Sequence, residues 1–111
     1  MSQIDIPPYL EKAFSIFKEE FGGNMALLRE LTQKIEQGSP LEATAVDAVV
    51  NLLHKIKGGA SFLQLDDIAQ TARTAETYAR DTGLTADDAG DKINDFITDL
   101  ESHLAELQNN T

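Results

Sequence analysis

Residues 39–63 read SPLEATAVDAVVNLLHKIKGGASFL, and the reading of this stretch decides the fold. Ser39 stands where a helix N-cap belongs, Pro40 at the first helical position, and Glu42 three residues after the serine. Together they form a capping box. The serine hydroxyl and the glutamate carboxylate satisfy backbone N–H groups that have no partner in the first turn, and the proline has no N–H to lose. Beyond the cap, Ala45, Val49, Leu52, Leu53, Ile56, Ala60 and Leu63 recur with a 3.6-residue period. A helix over residues 40–63 therefore presents one apolar stripe.

The flanking segments carry the same period. Pro7 and Pro8 open a first helix over residues 7–21, with Leu10, Ala13, Phe14, Phe17 and Phe21 on one face. Gly22-Gly23 is expected to end it. Asn24 caps a second helix over residues 24–37, with Met25, Leu28, Leu31 and Ile35 inward and Gly38 at its end. On the other side, Leu65, Ile68, Ala69, Ala72, Ala75 and Ala79 build a helix over residues 65–82 that stops near Gly83. Thr85 caps a last helix over residues 86–108, carrying Ala89, Ile93, Phe96, Ile97, Leu100, Leu104 and Leu107. The tail Gln108-Asn109-Asn110-Thr111 is polar and expected to fray. No run alternates apolar and polar residues in the manner of a strand. Short loops between long amphipathic helices impose antiparallel neighbours. The expected fold is all-α: one domain over residues 1–111, an up-down antiparallel four-helix bundle with an additional short N-terminal helix.

Composition narrows the function. The chain has 111 residues, enough for one core, and 41% of them are hydrophobic. Nine basic against 19 acidic residues give a net charge of −10, which argues against nucleic acid or an anionic membrane as the main partner. The absence of cysteine excludes disulfides, thiolate catalysis and cysteine-ligated zinc. No apolar run approaches the roughly 20 residues of a membrane span. Met1-Ser2-Gln3-Ile4-Asp5 shows no basic segment leading into an apolar one, so a cytoplasmic setting is expected.

Only two histidines are available for chemistry. His103 lies between the apolar positions Leu100 and Leu104 and reads as an edge residue without a role. His54 has Val50, Asn51, Lys57, Gly58 and Ser61 as its helical neighbours, beside the core stripe. Gly58-Gly59-Ala60 removes side chains one turn from the imidazole, although a mid-helix glycine costs about 1 kcal/mol relative to alanine. Such a gap admits another protein or a phosphoryl group. Lys57 and the nearby Lys55 bring positive charge to an acidic chain. If the hairpin turns near Gln64, then His54 and Glu76 lie within about one helical turn of the same height. A carboxylate that accepts from His54 Nδ1–H fixes the tautomer and leaves Nε2 as a nucleophile. Arg73, one turn before Glu76, adds charge to the same rim. The plainer alternative is an edge histidine beside a helix packed through small residues.

The segment His54-Lys55-Ile56-Lys57-Gly58-Gly59-Ala60 resembles the phosphoacceptor motif of histidine-containing phosphotransfer (HPt) domains, in which histidine is followed by any residue, leucine or isoleucine, lysine, glycine and then small residues. Glu76 matches the glutamate or glutamine that such domains often carry in the next helix. Phe21-Gly22-Gly23-Asn24-Met25-Ala26-Leu27-Leu28-Arg29-Glu30-Leu31 is similar to the opening segment of many stand-alone HPt domains. His54 to Glu76 also resembles the phosphoacceptor module of chemotaxis histidine kinases. The matches span residues 17–80. One position departs: these families usually have glycine ten residues after the histidine, where this chain has Gln64, which puts the local backbone and the helix end in question.

The resemblance implies a phosphorelay intermediate. His54 takes a phosphoryl group from a receiver-domain phosphoaspartate, or from a kinase, and passes it to a response-regulator aspartate. Lys57 balances charge on the phosphoryl oxygens, Glu76 orients the ring, and Gly58 leaves space. Lys55, Gly58, Ser61 and Arg73 form the docking rim. The implied partners are receiver domains of response regulators and of a hybrid sensor histidine kinase, with a monomer as the expected state. No cofactor of its own is implied, since the receiver brings Mg²⁺. No GxxxxGK[ST] or GxGxxG loop occurs, so the chain reads as a transfer intermediate rather than a kinase.

The rival reading is a non-catalytic helical-bundle adaptor that binds receiver or kinase domains without phosphorylation. A metal site is poorly supported, because His54 and His103 lie far apart and no HExxH occurs. Asp87-Asp88-Ala89-Gly90-Asp91 lacks calcium-loop spacing and reads as an acidic helix start. An acyl carrier would need a serine in an Asp-Ser-Leu setting, which the chain lacks.

Overall fold

The structure is a computed structural model that describes residues 7–36, 43–85 and 87–109. Among these residues, a 3-10 turn at Pro8–Leu10 leads into four α-helices. They are α1 (Glu11–Glu36), α2 (Ala43–Phe62), α3 (Asp66–Thr82) and α4 (Ala89–Asn109). The helices pack as a closed ring, α1 against α2 and α4, and α3 against α2 and α4, with α2 and α3 in the most extensive contact. The resulting bundle measures 45 × 22 × 19 Å.

The expected break at Gly22-Gly23 does not occur. Residues 7–21 and 24–37 do not form two helices; α1 runs unbroken through both glycines for 26 residues. The physical reason is phase. Phe17, Phe21, Met25, Leu28 and Thr32 are all buried and stay on one 3.6-period stripe across the glycines. Two interior glycines cost about 2 kcal/mol against alanine. Burying one large apolar side chain is worth about that much, and several lie on each side. The N-terminal addition is therefore a single 3-10 turn, with Pro8 in its first position.

The capping box of Ser39, Pro40 and Glu42, the helix end at Gly38 and the side chain of Ile35 lie outside the described residues. Downstream of them, Val49, Leu52, Leu53, Ile56, Ala60 and Leu63 are buried in the core. On α3 the buried row is nearly all alanine, with Ile68, Ala69, Ala72, Ala75 and Ala79. Small side chains let α3 approach α2 closely, which sets the spacing at the site described below.

The α2–α3 turn turns on Gln64. Its φ is +60°, the left-handed region. Gln64 N–H donates to Ser61 O (3.1 Å) and Leu65 N–H to Ala60 O (2.8 Å). This is the Schellman pattern, in which the left-handed residue reverses the chain and satisfies the last carbonyls. A position that favours glycine is here occupied by glutamine, and the helix still ends there. The next turn uses Gly83, with φ +62° and its N–H on Ala79 O at 2.9 Å.

Two further expectations shift. Thr85 does not cap the last helix: its hydroxyl donates to Thr82 O (2.9 Å), closing the end of α3, and α4 starts at Ala89. Gln108 and Asn109 do not fray but complete α4, because the buried Leu107 anchors that turn. Asn110 and Thr111 lie outside the described residues.

Candidate functional site

The site is built where α2 and α3 run antiparallel. Glu76 lies on the alanine row of α3, so its side chain enters the seam between the helices and is only 3% exposed. A buried carboxylate needs partners for both oxygens, and three side chains supply them. Lys57 Nζ lies 3.1 Å from Oε1. Arg80 Nη2 donates to Oε2 at 2.5 Å. His54 Nδ1 lies 3.1 Å from the same Oε2. Burial by itself would push the Glu76 carboxyl up, but the hydrogen bonds from Lys57, His54 and Arg80 outweigh it and hold the group below the usual carboxylate range.

That ionisation settles the proton on the imidazole. An ionised carboxylate only accepts, so Nδ1 carries the hydrogen and donates. In the neutral ring, Nε2 is then the nitrogen with a free lone pair. The His54 side chain is 62% exposed. The arrangement pairs an exposed imidazole with a buried anion that holds the ring through Nδ1.

The residues of the expected rim lie at different distances from this centre. Lys57 and His54 converge on Glu76, as above. Gly58 and Ser61 are exposed on the same side of α2. A Cβ built on Gly58 meets nothing within 4 Å, so no packing demand inside the chain explains this glycine. Gly59 is the opposite case: a Cβ there would stand 2.6 Å from Phe17 Cδ1, so the α1 ring requires its absence. Lys55 faces away from Glu76 and lines two shallow grooves along the α1–α2 seam. One, of about 250 Å³, is bordered by Ile16, Phe17, Gly59 and Phe62. Phe62 is 66% exposed at its edge and Ile16 is also exposed, so an apolar patch lies on the α1–α2 side of the helix that carries the histidine.

Arg73 is exposed. The arginine of α3 that bonds Glu76 is Arg80, one turn after the glutamate rather than one turn before, and sequence reasoning passed over it. The signal was present as an acid followed by a base at i, i+4, the favourable orientation on a helix. His103 lies 3.8 Å from Asp99 on its own helix, remote in sequence from His54. No helix among the described residues is long and apolar enough to cross a membrane.

No curated protein and no solved structure matches the chain. The family model of the Hpt domain does match, over residues 13–110, nearly its whole length. The chain thus belongs to the Hpt domain family, which places it in the histidine phosphotransfer of two-component phosphorelays, among proteins that interact with receiver domains.

Proposed function

We propose that this chain is a phosphohistidine intermediate and that His54 Nε2 is the atom that carries the phosphoryl group. The observation that supports this most directly is the exposed imidazole whose Nδ1 sits 3.1 Å from a buried, ionised Glu76. In the transfer, the Nε2 lone pair attacks phosphorus in line with the departing aspartyl oxygen. The N–P bond forms, the P–O bond breaks, and its electron pair stays on the receiver's aspartate. The ring, still bearing Nδ1–H, takes on positive charge, and the Glu76 carboxylate faces that charge. The same carboxylate serves the return step, in which the charged ring is the leaving group to a second aspartate.

Lys57 neutralises the phosphoryl oxygens, Gly58 leaves room for the group in flight, and Lys55, Ser61 and Arg73 border the docked receiver. The apolar groove between Ile16 and Phe62 gives the receiver a further surface on the α1–α2 side of the helix that carries His54. Mg²⁺ is assigned to the receiver, where it neutralises charge on the transferring group. The chain acts as a monomer in a cytoplasmic relay between a hybrid sensor kinase and a response regulator.

The test is phosphoryl transfer from labelled phospho-receivers to the wild type and to His54→Gln in parallel. Label on the wild type alone, stable in alkali and lost in acid, is the expected result. A folded wild type that takes no label from any receiver or kinase would leave a non-phosphorylated adaptor as the better account.

A further inference from the structure

Glu76 holds more cations than its single charge requires. Lys57 occupies Oε1, and Arg80 shares Oε2 with the His54 imidazole. Because α2 and α3 are antiparallel, Lys57, three residues after His54, lies toward the α2–α3 turn. Arg80, four residues after Glu76, lies on the side away from that turn. The imidazole is thus flanked along the helix axes by an ammonium on one side and a guanidinium on the other, both tied back to the carboxylate. The two cations differ in freedom. Lys57 is 26% exposed, whereas Arg80 is 60% exposed and on the outer side of the cluster. The shared Oε2 keeps Arg80 Nη2 within about 6 Å of His54 Nδ1.

We propose that Arg80 is a phosphoryl-binding residue that Glu76 holds in reserve. In the unphosphorylated protein the guanidinium rests on Oε2. When a phosphoryl dianion is carried on Nε2, the arginine turns outward on its exposed stem and pairs with the phosphoryl oxygens, opposite Lys57. The guanidinium fork suits this, since its planar donors match phosphate oxygens two at a time. Charge balance favours the exchange. Lys57 and Arg80 against Glu76 leave one surplus positive charge beside the histidine, in a chain whose net charge is −10. The arriving dianion meets that surplus. Glu76 loses little when Arg80 leaves, because Lys57 stays on Oε1 and the ring facing Oε2 has become more positive.

This inference rests on His54 as the phosphoacceptor, and the experiment separates the two. A labelled phospho-receiver is brought to equilibrium with wild type, Arg80→Met, Arg80→Gln and Arg80→Lys, and the ratio of label on the two proteins is read at low and at high salt. An equilibrium ratio does not depend on how fast the protein transfers, so a role confined to docking or catalysis leaves it unmoved. For a guanidinium this exposed, the expected shift toward the receiver is about three- to fivefold in both neutral variants. Lysine should recover part of it, and the shift should fade as the Debye length falls to about 3 Å near 1 M salt. If Arg80 only neutralised Glu76, its removal would free the carboxylate for Nδ1–H and favour label on the histidine. An unchanged ratio, a shift of that opposite sign, or a shift indifferent to salt, in variants with wild-type circular dichroism and melting, overturns the proposal while His54 remains the acceptor. A wild type that takes no label, or label that persists in His54→Gln, overturns both together.

Discussion

Replacing Glu76 by glutamine tests the electrostatic centre of the molecule, since the amide keeps the shape and one acceptor but removes the charge. Three donors lose an anion. The Lys57 ammonium, at 26% exposure, is the partner that counts most, and a charge-assisted hydrogen bond in such a setting is worth about 1.5–3 kcal/mol. His54 and Arg80, at 62% and 60% exposure, are screened by water and add at most about 1 kcal/mol each. Relief of the carboxylate's own desolvation, and the acceptor that glutamine keeps, offset part of this. The expected net destabilisation is about 1–2 kcal/mol at neutral pH, or a fall of about 4–8 °C in Tm for a chain of this size.

The pH dependence carries the stronger prediction. The folded-state pKa of Glu76 is depressed below its reference value of 4.5. Its stabilisation is therefore fully present above that value and is lost as pH falls through the lower, folded value, where the unfolded chain binds more protons than the native one. Subtracting the glutamine variant's stability from that of the wild type cancels the other carboxylates. The difference, read by urea unfolding at a series of pH values, should be flat above about pH 5.5 and shrink below 4.5. A difference that stays constant into the acid range, or grows there, would refute the argument that ion pairing outweighs burial at Glu76.

Three other predictions concern the backbone around the site. Gly58→Ala should raise stability by about 1 kcal/mol by helix propensity, since its new methyl meets nothing, yet slow transfer from a phospho-receiver by crowding the histidine; stability and transfer rate measured together would show the two moving in opposite directions. Gly59→Ala should instead lower stability by about 1–2 kcal/mol, because the Phe17 ring, packed 5.4 Å from Phe21, has to give way before the propensity gain counts. Gln64→Gly should stabilise by about 1 kcal/mol in thermal or chemical unfolding, because a left-handed residue with a side chain is strained.

Much of the bundle is legible in the residues, because amphipathic period and helix packing are local statements. The stripes on α2, α3 and α4 identify their own buried faces, and most of the residues on them lie in or against the core. Ends and interruptions are less legible. Gly22-Gly23 has the local chemistry of a stop, and only the burial of Phe21, Met25 and Leu28 against the other helices carries α1 through it. Thr85 has the chemistry of a cap, but a hydroxyl can close the helix behind it as well as open the one ahead, and here it bonds Thr82 O.

The candidate site divides the same way. Sequence by itself determined that one histidine stands beside a glycine gap and a lysine, and that antiparallel register brings Glu76 to its height. These follow from a rise of about 1.5 Å per residue and the position of one turn. Tertiary structure alone decided how the carboxylate's two oxygens are shared. A sequence lists Arg73 and Arg80 as equivalent cations, one turn either side of Glu76. The bond to Oε2 comes from Arg80, because which arginine reaches the carboxylate depends on how α3 lies on α2. It decided as well that Gly59 is filled by Phe17 while Gly58 opens to solvent, although the two are adjacent and chemically identical. Neighbours along the chain are set by covalent order, whereas neighbours in space are set by the packing of all four helices at once.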